Sequence, residues 1–173
     1  MLAHFLMIRK QGISGPLWAD AILLMANIVT AEGLRELSAL AHSLGMAVLF
    51  EVHTADEIAK LPPNPRLCGI NSRVFKSDDS ALRYLGSKAL RFLGVKKDLS
   101  IKREQFELVH QLPPGALRIA ESGVSPELVP HLRDTLGFHA MLVGTSLLMA
   151  PDGVRAELAR FERQLAQSAR AGA

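Results

Sequence analysis

The chain predicts an α/β fold in which parallel strands alternate with crossover helices, and three observations lead there. Five short apolar runs recur, at Ala21–Met25, Ala47–Val52, Leu67–Ile70, Leu117–Ala120 and Ala140–Val143. Each has strand length and is apolar at consecutive positions, the pattern of strands covered on both faces. Amphipathic stretches with capping residues lie between them, and repeated strand–helix units close most simply as a parallel sheet. On this ground a doubly wound sheet and a barrel both remain open.

The helices follow in order. Leu34, Leu37, Leu40, Ala41 and Leu44 recur at helical spacing after the first run, and Gly45 is placed to end that helix. Thr54 with Glu57 three residues on is a capping-box pattern opening the next. Ser125-Pro126 pairs an N-cap with a first-turn proline, and Gly137 fits the stop. Val154–Leu165 is expected as a final helix, with a frayed tail over residues 166–173. The long stretch Val74–Ser100, with a helical pattern around Ala81–Leu93, is expected as an elaborated loop after the third run. With no linker-like or low-complexity segment, residues 1–173 are expected as one domain.

Composition narrows the function classes. Aromatic residues make up only 5%, so aliphatic side chains must fill the core. The net charge is +3 with the charges mixed along the chain, so no nucleic-acid partner is expected. The one cysteine, Cys68, excludes an intrachain disulfide framework and a Cys-rich zinc site, fits a reducing cytoplasmic setting, and is expected as an inert core thiol. The apolar segment Leu2–Ile8 is followed rather than preceded by its basic residues, unlike a secretory signal. No apolar run approaches the roughly 20 residues of a membrane span, so no membrane partner is expected. The six histidines form no close metal pair and are taken as surface or helper residues, so no metal is expected; a dinucleotide glycine motif and a P-loop are also missing.

The residues at the ends of the runs carry the chemistry. Glu51 and His53 close the second, Asn71-Ser72-Arg73 the third, Glu121-Ser122-Gly123 the fourth and Gly144-Thr145-Ser146 the fifth. Polar and glycine residues thus gather at one end of several strands, where α/β folds place their sites. Gly123 and Gly144-Thr145 suit a phosphate, because glycine lets a backbone N–H approach an anion and a following helix adds its dipole; they suit ordinary strand–helix turns as well. Glu51 within an apolar run is the sharpest anomaly: a buried carboxylate is costly unless partnered, and is a candidate general acid or base. Glu121 shares this character, and Asn71 can orient a substrate or satisfy a loop.

The ordered segments Ala-Asp-Ala-Ile-Leu-Leu (19–24), Phe-Glu-Val-His (50–53), Gly-Ile-Asn-Ser-Arg (69–73), Ala-Glu-Ser-Gly-Val (120–124) and Leu-Val-Gly-Thr-Ser-Leu (142–147) resemble indole-3-glycerol phosphate synthase. Each is weak alone, but five in order are specific, and they span roughly residues 19–160. The resemblance implies a TIM (β/α)₈ barrel, here incomplete at about five to six βα units, with the runs as strands four to eight. It implies a lyase of tryptophan biosynthesis that closes the indole ring of 1-(2-carboxyphenylamino)-1-deoxyribulose 5-phosphate with loss of carbon dioxide and water, using no cofactor. Residue by residue, Glu51 matches the strand-five general base, and Asn71 the substrate-orienting asparagine. Arg73 matches the arginine near the phosphate. Glu121 and Ser122 match the strand-seven pair, with Ser122 and Gly123 towards substrate and phosphate, and Gly144 and Thr145 match the strand-eight phosphate loop.

The match thins at the N-terminus. The family's first two strands have no counterpart, and Arg9-Lys10 followed by Pro16 resembles its strand three, which would make Lys10 the catalytic lysine. Five or six units cannot close an eight-stranded barrel. The chain alone is therefore expected to be weakly active or inactive, and its open sheet edge invites self-association or pairing with another segment. Another phosphate-binding barrel, such as a phosphoribosylanthranilate isomerase, and a non-catalytic half-barrel module are the competing expectations.

Overall fold

The structure is a computed structural model that describes residues 19–73 and 101–171. Lys10 and the Val74–Ser100 elaboration lie outside the described residues. The elements run β1 (Ala21–Met25), α1 (Ala31–Ser43), β2 (Ala47–Val52), α2 (Ala55–Ile58), β3 (Leu67–Asn71), a 3₁₀ stretch over Arg103–Gln111, β4 (Leu117–Glu121), short helical turns at Pro126–Leu128 and His131–Thr135, β5 (Ala140–Leu142), α3 (Thr145–Leu148) and α4 (Val154–Ala171). The final helix therefore continues six residues past the Leu165 expected from the pattern, through part of the segment expected to fray.

All five strands are parallel and lie in the order β1-β2-β3-β4-β5. Each new strand is added beside the last, with no reversal. A doubly wound sheet reverses its order in the middle and so carries helices on both faces. Winding in one direction, with crossovers of one hand, keeps every helix on one face and curls the sheet, as in a barrel wall. Among the described residues β1 pairs only with β2 and β5 only with β4, so the wall is an arc.

Side-chain parity shows which face is filled. Ile22, Leu24, Val48, Phe50, Val52, Cys68, Ile70 and Ala120 alternate along the strands towards the helical layer, where they form one buried cluster with Leu34, Ala41, Phe106, Val109, Val129, Leu132 and Phe161. Phe106 and Phe138 meet edge-to-face within it, ring centres 5.6 Å apart. The opposite parity is less covered: Leu23, Met25, Leu67, Ile119 and Leu142 are half-buried, and Leu117 is 50% exposed. The runs are apolar on both faces because a closed barrel packs both, whereas among the described residues the helix-facing side of this arc is the more fully packed. Cys68 lies in the packed layer, and burial pushes its thiol up to about 11, in keeping with an inert core cysteine.

The caps explain where the helices stop and start. Thr30 Oγ1 accepts the Gly33 N–H at 3.1 Å to open α1. The Met46 N–H bonds Ala41 O at 2.9 Å across Gly45, whose φ of +75° supplies the left-handed turn that closes it. The buried stripe of α1 is Leu34, Ser38 and Ala41 with Leu37 beside it; Leu40 and Leu44 sit on the flank and are exposed, a narrower face than the leucine spacing predicts. Thr54 caps α2 as expected, its hydroxyl accepting the Glu57 N–H at 3.3 Å. Glu57 reaches past the cap residue, however, and takes the N–H of His53 instead.

Candidate active site

Parallel pairing decides which side chains share the inner face of the arc. Glu51 is in register with Gly69, Gly69 with Ile119, and Asn71 with Glu121. Residues in register on parallel strands project to the same side. Glu51 near the end of β2, Asn71 ending β3 and Glu121 ending β4 are therefore neighbours at the carboxyl rim of the inner face, as the strand-end pattern suggests.

All three are buried: Glu51 is 5% exposed, Asn71 8% and Glu121 2%. Asn71 Nδ2 donates to Glu51 Oε1 at 3.0 Å, while Asn71 Oδ1 accepts the Arg73 N–H at 2.9 Å. Both ends of the Asn71 amide are thus engaged by the protein, so its first task is to hold Glu51. Glu121 reaches inward over β3, and its Oε1 lies where a Cβ on Gly69 would stand, at 1.7 Å from that position. Only a residue without a side chain lets this carboxyl lie there. Burial, the charge of Glu51 and a hydrogen bond with Glu51 push Glu121 up to about 8, so near neutral pH it carries the proton that the two carboxyls share.

This sets a pH dependence of stability. A carboxyl whose folded pKa is raised above 4.5 favours folding while protonated, so its contribution is full below 4.5 and falls as pH rises towards about 8. Glu57 works in the other direction. Burial pushes it up, but the side-chain and backbone hydrogen bonds from His53 outweigh that and hold it below the ordinary 4.5, so its contribution is present above that value and lost on acidification. Between about pH 5 and about pH 8 the Glu121 effect stands alone of the two, and Glu121→Gln is expected to flatten the decline in unfolding free energy that the parent shows over that window. Urea denaturation at the two ends of the window checks this; parallel curves for parent and variant would refute it.

Beyond the carboxyls the rim turns sharply. Ser122 and Gly123 both have φ of +63°, consecutive left-handed residues that make a tight bend directly after β4. A non-glycine residue such as Ser122 adopts this conformation at a cost, and such strain gathers at ligand-contacting turns. A Cβ on Gly123 would meet the Ile101 side chain at 2.4 Å. The bend is strapped to β3 by Ser72, fully buried, whose Oγ donates to Ser122 O at 2.8 Å and whose N–H donates to Glu121 O at 3.0 Å. Because Glu121 pairs with Leu142, the Ser122-Gly123 bend and the Gly144-Thr145 turn that opens α3 are adjacent along the rim. Arg73 stands one strand over, half-buried, its Nε buried with no hydrogen-bond partner among the described residues. The structure thus brings Glu51, Asn71, Glu121, Ser122, Gly123, Gly144, Thr145 and Arg73 to one rim; Lys10 lies outside the described residues. Among the latter no group of three or more His, Cys, Asp or Glu is arranged to hold a metal ion, and no helix is long and apolar enough to cross a membrane.

Two residues escape the sequence reading, and a third is only loosely placed by it. His53 ends the second run beside Glu51 and belongs with the helper rather than the surface histidines, being 7% exposed and wedged beside Glu51. The sequence marks Glu57 only as a capping residue, although a His and a Glu four apart across a strand–helix turn can meet. Gly69 gave no signal, because nothing in the chain marks which side chain will lie across it.

A family model described as indole-3-glycerol phosphate synthase matches residues 5–83. The indole-3-glycerol phosphate synthase of Bacteroides thetaiotaomicron is 36% identical over 134 residues, covering 77% of this chain and 44% of the relative. That of Albidiferax ferrireducens is 35% identical over 141 residues, covering 78% and 44%. The tryptophan biosynthesis protein TrpCF of Yersinia pestis is 35% identical over 136 residues, covering 78% and 24%. The chain therefore spans less than half the length of these curated relatives. Among solved structures, 3-hexulose-6-phosphate synthase from Salmonella typhimurium superposes with a TM-score of 0.57 at 14% identity, covering 87% of this chain and 63% of that one. A structure described as native KDPGal gives 0.52 at 20% identity, covering 86% and 60%. At such identities these two speak to the fold alone.

Proposed function

As a relative of the C-terminal part of indole-3-glycerol phosphate synthase, this chain carries five parallel strands of a TIM barrel, and we propose that it supplies the carboxylate and phosphate half of that enzyme's site. The substrate would be 1-(2-carboxyphenylamino)-1-deoxyribulose 5-phosphate, and the reaction ring closure with loss of carbon dioxide and water. One observation carries this: Glu51, tethered by Asn71 at 3.0 Å, shares its pocket with Glu121, a second carboxyl that keeps its proton near neutrality. Such a pair offers a proton acceptor and a proton donor side by side, which ring closure and dehydration both need. Glu51 acts as the base and Glu121 holds the proton to be delivered. Ser122, Gly123, Gly144 and Thr145 offer the phosphate a rim of tight turns, with Arg73 as the nearby cation. Lys10, on the alignment of Arg9-Lys10 with strand three, is the further acid.

An arc of five strands encloses its substrate on one side only. Turnover by the chain alone is therefore weak or nil, and the sheet edge that stands unpaired among the described residues is open to pairing with a second copy or with further strands. The experiment mixes the full chain with the separately expressed N-terminal half of a curated relative and follows indole formation from the carboxyphenylamino substrate. Little turnover is expected from either part alone, and clear turnover from the mixture. A mixture that associates but stays inactive would overturn the catalytic reading in favour of a non-catalytic half-barrel.

A further inference from the structure

We propose that His53 is a positioning residue for the Glu51 carboxylate, held as a bridge between Glu57 and Glu51 so that one oxygen of Glu51 is locked in place. This rests on the reading of Glu51 as the base. Glu57 Oε2 accepts the backbone N–H of His53 at 2.7 Å and lies 3.3 Å from its ring Nδ1. The other ring nitrogen, Nε2, stands 3.4 Å from Glu51 Oε1. Oε1 is the same oxygen that receives the Asn71 amide at 3.0 Å. Both partners fall on one oxygen, Oε1.

The bridge is built rather than incidental. His53 is 7% exposed and Glu57 8%, so these contacts are made away from bulk water, where orientation by a fixed partner is strong. Thr54 caps α2 and sets Glu57 at the turn where it meets both the backbone and the ring of His53. Gln105 Nε2 donates to His53 O at 3.1 Å from the Arg103–Gln111 stretch, fixing the residue from the far side. Glu57 Oε2 beside Nδ1 and Glu51 Oε1 beside Nε2 are both acceptors, so the bridge requires a proton on each ring nitrogen, Nδ1 donating to Glu57 and Nε2 to Glu51. Among the described residues, the charged groups around the ring include Glu57 and Glu51 in contact, Glu121 beyond Glu51, and Lys60, which reaches Ala26 O from α2 and acts on Glu57.

The two amide replacements separate the halves of the bridge. Asparagine has a polar group near the place of Nδ1 and none near Nε2; glutamine has the reverse. In the mixture with the N-terminal half of a relative, His53→Asn is expected to lower kcat by between about tenfold and a hundredfold with KM within about twofold, as misplacement of a catalytic group does. Losing a donor to Glu51 also moves the acid limb of the pH profile upwards. His53→Gln is expected to recover much of the rate and restore the limb. A His53→Asn variant that keeps both kcat and profile, while the parent mixture turns over, refutes the bridge and leaves the proposed function standing. A second measurement needs no turnover: nitrogen NMR of the full chain should show both ring nitrogens of His53 protonated, and a ring that has lost one of those protons in Glu57→Gln. A ring unaffected by Glu57→Gln overturns the proposal even if no mixture is active, and inactivity of the parent mixture counts only against the proposed function.

Discussion

Glu51→Gln in the complemented assembly is expected to lower kcat for ring closure by about 10²- to 10⁴-fold, the range that a positioned general base contributes. Glutamine keeps the shape of the side chain and an oxygen that can accept the Asn71 amide, which stands 3.0 Å from Glu51 Oε1. What it loses is the capacity to take a proton. KM should change little, because the substitution removes an interaction made as the proton moves rather than one that binds the substrate. The change also removes the charge that helps to hold the proton on Glu121, so that carboxyl should titrate lower than about 8 in the variant. Steady-state kinetics with both substrate and pH varied measure these effects together. A rate within a factor of about three of the parent would mean that the base lies elsewhere, since that difference is under 1 kcal/mol of barrier.

Gly69→Ala is expected to be among the most damaging single-methyl additions in the chain. Its new carbon would sit 1.7 Å from Glu121 Oε1 and 2.6 Å from the carboxyl carbon, so the Glu121 carboxyl must leave its place. It has poor alternatives, because it is 2% exposed and is already pressed against Glu51. Forced insertions into packed sites cost about 1–3 kcal/mol, and displacement of a buried carboxyl adds to that. Gly69 itself sits in β3 between Cys68 and Ile70, both buried, so the backbone has little freedom to retreat. The test is a double-mutant cycle read by denaturation. Glu121→Ala should rescue Gly69→Ala, leaving the pair less destabilised than the sum of the two single variants. Strict additivity would show that the clash is relieved some other way. The same displacement disorders the carboxyl pair, so Gly69→Ala should lose turnover in the complemented assembly as well.

Much of the frame was readable along the chain. Two of the five apolar runs match β1 and β2 in full and the other three match β3, β4 and β5 to within one residue, because a strand flanked by helices must be apolar at consecutive positions and needs no distant partner to say so. The caps at Thr54 and Gly45 are local chemistry of the same kind, although Glu57 turned to His53 rather than closing the capping box. The strand-end residues were visible as polar interruptions at the ends of apolar runs. Glu51 stood out for that reason, as did the Ser122-Gly123 and Gly144-Thr145 turns.

What the chain by itself determined was therefore the set of elements and the residues that could do chemistry, since these follow from spacing and side-chain type within a few positions. Only the tertiary structure decided what those residues do to one another. The register that sets Glu51 beside Gly69, and Asn71 beside Glu121, joins segments 18 and 50 positions apart, and no local pattern encodes it. From that register come the proton held on Glu121, the Asn71 tether and the empty space that Gly69 must leave. The strand order did likewise for the architecture: sheet and barrel share the same alternation, and only the uninterrupted sequence of parallel neighbours separates them. The reason is common to both cases, because hydrogen bonds between strands are paid for by chain closure over long separations and are selected by the packing of the whole layer.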